Sequence, residues 1–176
     1  MGWNASGAWS ASAGHNGVAP ILLRLLPRLH HPPARLFLPG SGAPGEGAEE
    51  VAALHARGYD VVAADPRDPA RREALRGPFD LICEIGLLTS LSPADRPAYV
   101  QGAAALLRPG GQLFGAAPDG AHAGEGSPAG GGITSAALLG MLSPGEGPGF
   151  EVAHLAPSAF TGPDGRALLE FILVRR

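Results

Sequence analysis

The chain has 176 residues, enough for one core, and its 45% hydrophobic and 16% charged composition is that of a folded globule, not a disordered chain. A net charge of −3 and a pI near 6.0 provide no basic field for nucleic acid or an anionic membrane, so neither is expected as a partner. All 13 basic residues are Arg; the absence of Lys excludes Schiff-base chemistry and a phosphate-loop lysine, and the single Cys83 excludes an internal disulfide or a cysteine metal cluster.

Residues 1–17 are rich in Gly, Ala and Ser and carry Trp3 and Trp9. They read as an arm, lacking the basic and apolar regions of a signal peptide; with no ~20-residue apolar run in the chain, a cytoplasmic location is expected. Residues 18–176 read as a single domain. A helical pattern covers Val18 to Leu29 and ends at His30-His31-Pro32-Pro33, and Arg35 to Leu38 is a short buried strand. Glu46 to Arg57 is a helix stopped by Gly58 in a left-handed cap, and Asp60 to Ala64 a second strand. A short helix over Pro69 to Arg76, a strand over Phe79 to Cys83, a helix over Asp95 to Leu107 and a strand over Gly111 to Ala117 continue the alternation. After a Gly-rich loop and a helix from Thr134 to about Leu142, the strands Phe150 to Leu155 and Ala167 to Val174 follow without a helix between them. Alternating strands and helices imply a mainly parallel, Rossmann-like α/β sheet, and the last two strands an antiparallel hairpin added to it.

The segment Gly40-Ser41-Gly42-Ala43-Pro44-Gly45 follows the first strand and opens a helix, and Asp65 lies 20 residues beyond Gly45 at the tip of the second strand. Glycines permit a tight turn and close backbone approach, and an acid at that tip accepts hydrogen bonds from ribose hydroxyls, so this is a nucleoside-site pattern. The pattern alone does not separate a nicotinamide dinucleotide from S-adenosylmethionine. Cys83, inside an apolar strand, reads as a core residue, and His30-His31 as a polar turn.

Several segments resemble the thiopurine S-methyltransferase-like group of S-adenosylmethionine-dependent methyltransferases. Arg35 to Gly42 is similar to the group's "VLVPGCG" start and Gly58 to Asp65 to its second strand. Gly77-Pro78-Phe79-Asp80-Leu81-Ile82, Leu87 to Leu91, Arg96 to Val100 and Leu106 to Gly111 follow in the group's order, and Asp119, His122-Ala123-Gly124 and Ser127-Pro128 resemble its "D…HAGPP" segment. The resemblance implies S-adenosylmethionine held by Leu38, Pro39, Gly40, Ser41, Gly42, Asp65, Glu84 and Ile85. It implies a small-molecule acceptor, a thiol, near Trp9, Asp119 and His122, with methyl transfer by alignment and no catalytic dyad. A nicotinamide enzyme fits Leu106 to Gly111 and the terminal hairpin less well.

Two departures from the group stand out. Only 13 residues separate Asp65 from Phe79, too few for the group's additional strand and helix, so six strands are expected with the second at a free edge. Glu84-Ile85 stands where the group has Asp-Arg. A catalytically silent binding or assembly module is therefore the alternative. In either reading the exposed edge of the second strand invites a second copy or a partner protein.

Overall fold

The computed structural model describes residues 20–39, 48–64, 75–85, 87–122, 132–142, 149–161 and 166–176. In chain order these form α1 (Pro20–Leu25), β1 (Ala34–Pro39), α2 (Ala48–His55), β2 (Tyr59–Ala64), β3 (Phe79–Ile85), α3 (Leu87–Ser90), α4 (Arg96–Leu106), β4 (Leu107–Pro118), α5 (Ser135–Met141), β5 (Phe150–Thr161) and β6 (Ala167–Arg175). Single 3-10 turns cover Leu26–Arg28 and Gly120–His122.

The six strands form one sheet in the order β2-β1-β3-β4-β6-β5. β1 pairs in parallel with β2 and β3, and β3 with β4, whereas β6 lies antiparallel between β4 and β5. The expected six-stranded sheet with a terminal hairpin and β2 at an outer edge is therefore the fold found. The chain steps outward from β1 to β2 and then returns to lay down β3 on the other side of β1. The order reverses there, which places the switch point of the sheet between the carboxyl ends of β1 and β3.

Alternation along the strands builds a core on each face. Phe37, Ile82, Leu113, Leu169 and Phe171 point toward α4 and α5, and the Phe37 and Phe79 rings meet at 5.4 Å between centroids. Leu36, Leu38, Leu81, Cys83, Phe114 and Ala116 point the other way, onto Ile21, Leu22 and Leu25 of α1 and Leu54 of α2. The first helix is shorter than its apolar pattern, because Pro27 cannot donate a backbone hydrogen bond and the chain tightens into the 3-10 turn. Cys83 is fully buried in this core, and burial pushes its thiol well up, away from the reactive thiolate form.

Two glycines have definite jobs. Gly58 has φ +89° and ends the turn after α2, as expected of a left-handed cap. Gly115 sits opposite Glu84, and a Cβ there would lie 1.7 Å from the Glu84 carbonyl oxygen, so only glycine lets β3 and β4 approach at this point. The fourth strand is longer than its sequence pattern: it starts at Leu107, level with Phe79, and Arg108-Pro109-Gly110-Gly111 forms an irregularity, with Gly110 at φ +76°, before regular pairing with β3 resumes at Gln112. The short helix expected over Pro69 to Arg76 lies mostly outside the described residues.

Candidate functional site

The four parallel strands share a carboxyl edge, and Leu38 and Pro39 of β1, Glu84 and Ile85 of β3, and Asp119 after β4 all stand on it. Leu38 and Pro39 are buried, and Ile85 is half-buried on the α1 side of the sheet. Gly40, Ser41, Gly42, Asp65 and Trp9 lie outside the described residues; of His122 only the backbone, in its 3-10 turn, is described.

Glu84 is 1% exposed, yet its carboxylate is well provided with donors. Oε1 accepts the Leu88 N–H at 2.7 Å, which fastens the start of α3, and Oε2 accepts a short hydrogen bond from the Tyr99 hydroxyl on α4. Burial raises the Glu84 pKa from 4.5 to about 6, against the lowering effect of the Leu88 N–H, the Tyr99 hydroxyl and the Leu87 N–H. Burial also pushes the Tyr99 hydroxyl well above its ordinary value, with the charge of Glu84 adding to the effect, so Tyr99 donates and stays neutral. The result is an acid at the switch point held by neutral donors, with no cation bonded to it among the described residues.

Asp119 turns toward its own loop. Its Oδ1 accepts the Ala121 N–H at 2.9 Å, its N–H donates to the Ala167 carbonyl at 2.9 Å, and its backbone bridges Ile133. It thus pins both ends of the loop between β4 and α5. Arg96 reinforces this closure. Buried to 7% exposure, it donates from Nε to Leu91 O at 3.3 Å, from Nη1 to Gly132 O at 3.4 Å and from Nη2 to Thr89 O at 3.5 Å, joining the loop after β3 to the loop after β4.

Sequence reasoning did not single out Tyr99 or Arg96 individually as site residues. The spacing of three that puts both on one face of α4 was a usable signal. It also passed over Glu170, a lone acid in the apolar run Leu168 to Val174, which is fully buried in β6.

No family model matches the chain, and no curated protein matches it by sequence. Solved structures do match in fold. The chain superposes on the 1,6-didemethyltoxoflavin-N1-methyltransferase of Burkholderia thailandensis, solved with 1,6-didemethyltoxoflavin and S-adenosylhomocysteine bound. That match has a TM-score of 0.62 and 17% identity, and covers 94% of this chain and 80% of that one. A TehB-like S-adenosylmethionine-dependent methyltransferase of Corynebacterium glutamicum matches with a TM-score of 0.59 and 17% identity, over 94% of this chain and 92% of that one. An S-adenosylmethionine-dependent methyltransferase of Methanosarcina mazei matches with a TM-score of 0.59 and 17% identity, over 90% and 97%. The fold is the Rossmann-like class I methyltransferase fold, with six strands and an antiparallel C-terminal hairpin. Among the described residues no helix is long and apolar enough to cross a membrane.

Proposed function

We propose that the chain is an S-adenosylmethionine-dependent methyltransferase acting on a small soft nucleophile, a thiol, in the manner of the thiopurine S-methyltransferase-like group. The observation that carries the reading is the position of Glu84: a buried acid at the switch point, on the edge where open α/β sheets bind ligands, held by neutral donors. A carboxylate so placed favours a cationic ligand such as a sulfonium, and the residues beside it fit the group. Leu38, Pro39 and Ile85 offer apolar walls, and Gly40 to Gly42 and Asp65 follow directly from the ends of β1 and β2. Bound there, the cofactor supplies an electrophilic methyl group. The protein's own part is alignment and exclusion of water: Glu84 fixes α3 through the Leu88 N–H, and Arg96 and Asp119 hold the loops at the acceptor end. A thiolate needs no general base once formed, so no dyad is required.

Calorimetric titration with S-adenosylhomocysteine tests the reading. Binding is expected, with a rise in melting temperature, because a ligand selective for the folded state stabilises it by mass action. Asp65→Ala should weaken that binding by at least ~1.5 kcal/mol while leaving the fold intact, the loss expected for hydrogen bonds to a charged acceptor. No shift at millimolar ligand would favour the second reading, a silent binding or assembly module. That reading draws support from Ile85, which cannot donate where the group has Arg, and from β2 at the sheet edge, where a second copy or partner could pair. Mass in solution across a hundredfold dilution reads that pairing directly.

A further inference from the structure

Glu84 rises from β3 on the same face as Ile82, toward α4, while its neighbours Cys83 and Ile85 lie on the α1 face. The register between β1 and β3 sets Leu36 level with Leu81 and Phe37 with Ile82, and carried on to the end of β1 it sets Pro39 level with Glu84. Gly40-Ser41-Gly42 follows Pro39 in the chain. The acid therefore stands beside the start of the segment that the methyltransferase reading gives to the cofactor. Three neutral donors hold it: the Leu87 and Leu88 N–H groups of α3 and the Tyr99 hydroxyl of α4. Two of these belong to the backbone, and Tyr99 is the side chain among them.

An acid buried only to secure the fold is served best by a cation, as Asp80 is by Arg108. None bonds Glu84 among the described residues. Arg96, one turn before Tyr99 on α4, spends its donors on the Leu91, Gly132 and Thr89 carbonyls, and Asp119, beyond β4, accepts the Ala121 N–H. Burial pushes Cys83 and Tyr99 well up, so both stay neutral around pH 7. α3, α5 and the carboxyl end of β1 carry no titratable side chain. With its pKa at about 6, Glu84 is ionised at pH 7 by a narrow margin, and losing one donor to the charged form closes that margin. A buried charge without a counterion acts on other charges without touching them, because little solvent screens it.

We propose that Glu84 and Tyr99 form a charge sensor for the cofactor site. Tyr99 is the positioning residue that keeps Glu84 a carboxylate, so that the site holds the cationic sulfonium of S-adenosylmethionine more firmly than the neutral thioether of S-adenosylhomocysteine. The proposal rests on the methyltransferase reading and goes beyond it by giving Tyr99 a role and ligand exchange a direction. The two ligands differ by one methyl group and one positive charge. Glu84 detects the charge, and its loss on methyl transfer favours departure of the product. Protonation of Glu84 erases the distinction, so the preference is present above its pKa and lost below it.

Calorimetric titration of the full chain with each ligand, at half-unit steps from pH 5 to 7.5, reads the preference as the ratio of the two dissociation constants. The ligands share their nucleoside and amino-acid parts, so titration of those parts cancels in the ratio, and the methyl group does not titrate. In the unaltered chain the preference for the sulfonium should fall at least about fivefold from pH 7.5 to 5, because a carboxylate attracts a cation and a neutral carboxyl does not. Glu84→Gln should hold the low ratio at every pH. Tyr99→Phe should move the fall to higher pH and cut the preference at pH 7 at least about threefold, with a much smaller change in S-adenosylhomocysteine affinity. Carbon-13 NMR of the glutamate carboxyls, with Glu84 assigned by its loss in Glu84→Gln, should show Glu84 taking up its proton at higher pH in Tyr99→Phe without any ligand. A merely structural Tyr99 would weaken both ligands alike and leave the pH curve in place. A preference independent of pH in the unaltered chain, a pH-dependent preference kept by Glu84→Gln, or superposable curves for Tyr99→Phe and its parent each overturn the proposal. If Tyr99→Phe fails to fold, the first two outcomes decide. Absence of binding by both ligands refutes the cofactor reading and the proposal with it, whereas binding of both with a ratio insensitive to pH overturns the proposal alone.

Discussion

The two ends of β3 carry acids in opposite circumstances. At the amino end Asp80 accepts from the Arg108 Nε at 2.5 Å and from the Arg35 N–H at 2.7 Å. Burial would raise its pKa, but the Arg108 hydrogen bond, the Arg35 N–H and the charges of Arg108 and His30 outweigh it, and the carboxyl is held below the usual range. At the carboxyl end, 4 residues on, Glu84 is more deeply buried, bonds neutral donors among the described residues and has its pKa raised by burial to about 6. The contrast extends to the whole edge. At the amino edge His30 joins β4 through the Gly110 carbonyl and the Gln112 side chain, and Arg175 donates to the Leu107 carbonyl, so charges and polar groups there close on one another. At the carboxyl edge Glu84 is a buried acid with no cation bonded to it among the described residues. Ion pairs and polar contacts thus close the amino edge, while the carboxyl edge is the one at which open α/β sheets in general bind ligands.

The largest effect should come from Glu84→Leu. It orphans the Tyr99 hydroxyl and the Leu88 N–H, at ~1–3 kcal/mol each, while relieving about 2 kcal/mol of carboxylate burial. The expected net loss at neutral pH is about 2–3 kcal/mol, read from urea midpoints. A variant as stable as the parent would show that Glu84 does not organise α3 and α4.

Next in size is the pH dependence, in which the two acids have opposite signs. Glu84 binds its proton more tightly in the folded chain, so its contribution is fully present below pH 4.5 and is lost as pH rises through about 6. The loss amounts to about 2 kcal/mol. Asp80, held low, contributes above its unfolded value of 3.8 and loses that contribution as pH falls. Glu84→Gln should therefore remove the decline between pH 4.5 and 7 without touching the acid limb, and Asp80→Asn the reverse. Melting curves at half-unit pH steps check both; a parent curve flat over that interval would contradict the contrast between the two ends.

What was legible in the sequence follows from how each feature is encoded. The number of strands, the free edge at β2 and the terminal hairpin were readable because periodicity and turn residues are local, and because 13 residues between Asp65 and Phe79 limit what the chain can insert. The ends of elements were less readable. β5 runs on to Thr161 past an irregularity after Pro157, and β4 begins at Leu107 before the irregular Arg108 to Gly111 segment, because pairing resumes beyond each interruption, at Thr161 with Ala167 and at Gln112 with Leu81. Of the donors to Glu84, the Leu88 N–H lies 4 residues on, where an acid before a helix is placed to cap it, but the Tyr99 hydroxyl was not readable: Tyr99 is 15 residues away, and only the packing of α4 on β3 brings it to the carboxylate. Glu170 left a trace, as an acid in an apolar strand, but its partners Arg24 and His154 come from α1 and β5, and no spacing rule connects them.

The smallest expected effect sharpens the same contrast by using a third acid. Asp60 of β2 lies level with Arg35 at the amino edge, 3.7 Å from its Nε, but its side chain is 72% exposed and that of Arg35 is 35% exposed. Arg35 also has other attachments: its Nη1 donates to the Arg76 carbonyl at 3.0 Å and its guanidinium stacks over the Phe79 ring at 4.6 Å. Water screens the Asp60 pair, and Arg35 loses little when the acid is neutralised, so Asp60→Asn should change stability by less than ~0.5 kcal/mol. Asp80→Asn, with two direct donors at hydrogen-bond distance, should cost several times more at neutral pH. Urea unfolding of the two variants side by side measures the ratio. Equal losses would mean that simple proximity of opposite charges, and not the directed hydrogen bonds of a half-buried acid, secures the amino edge.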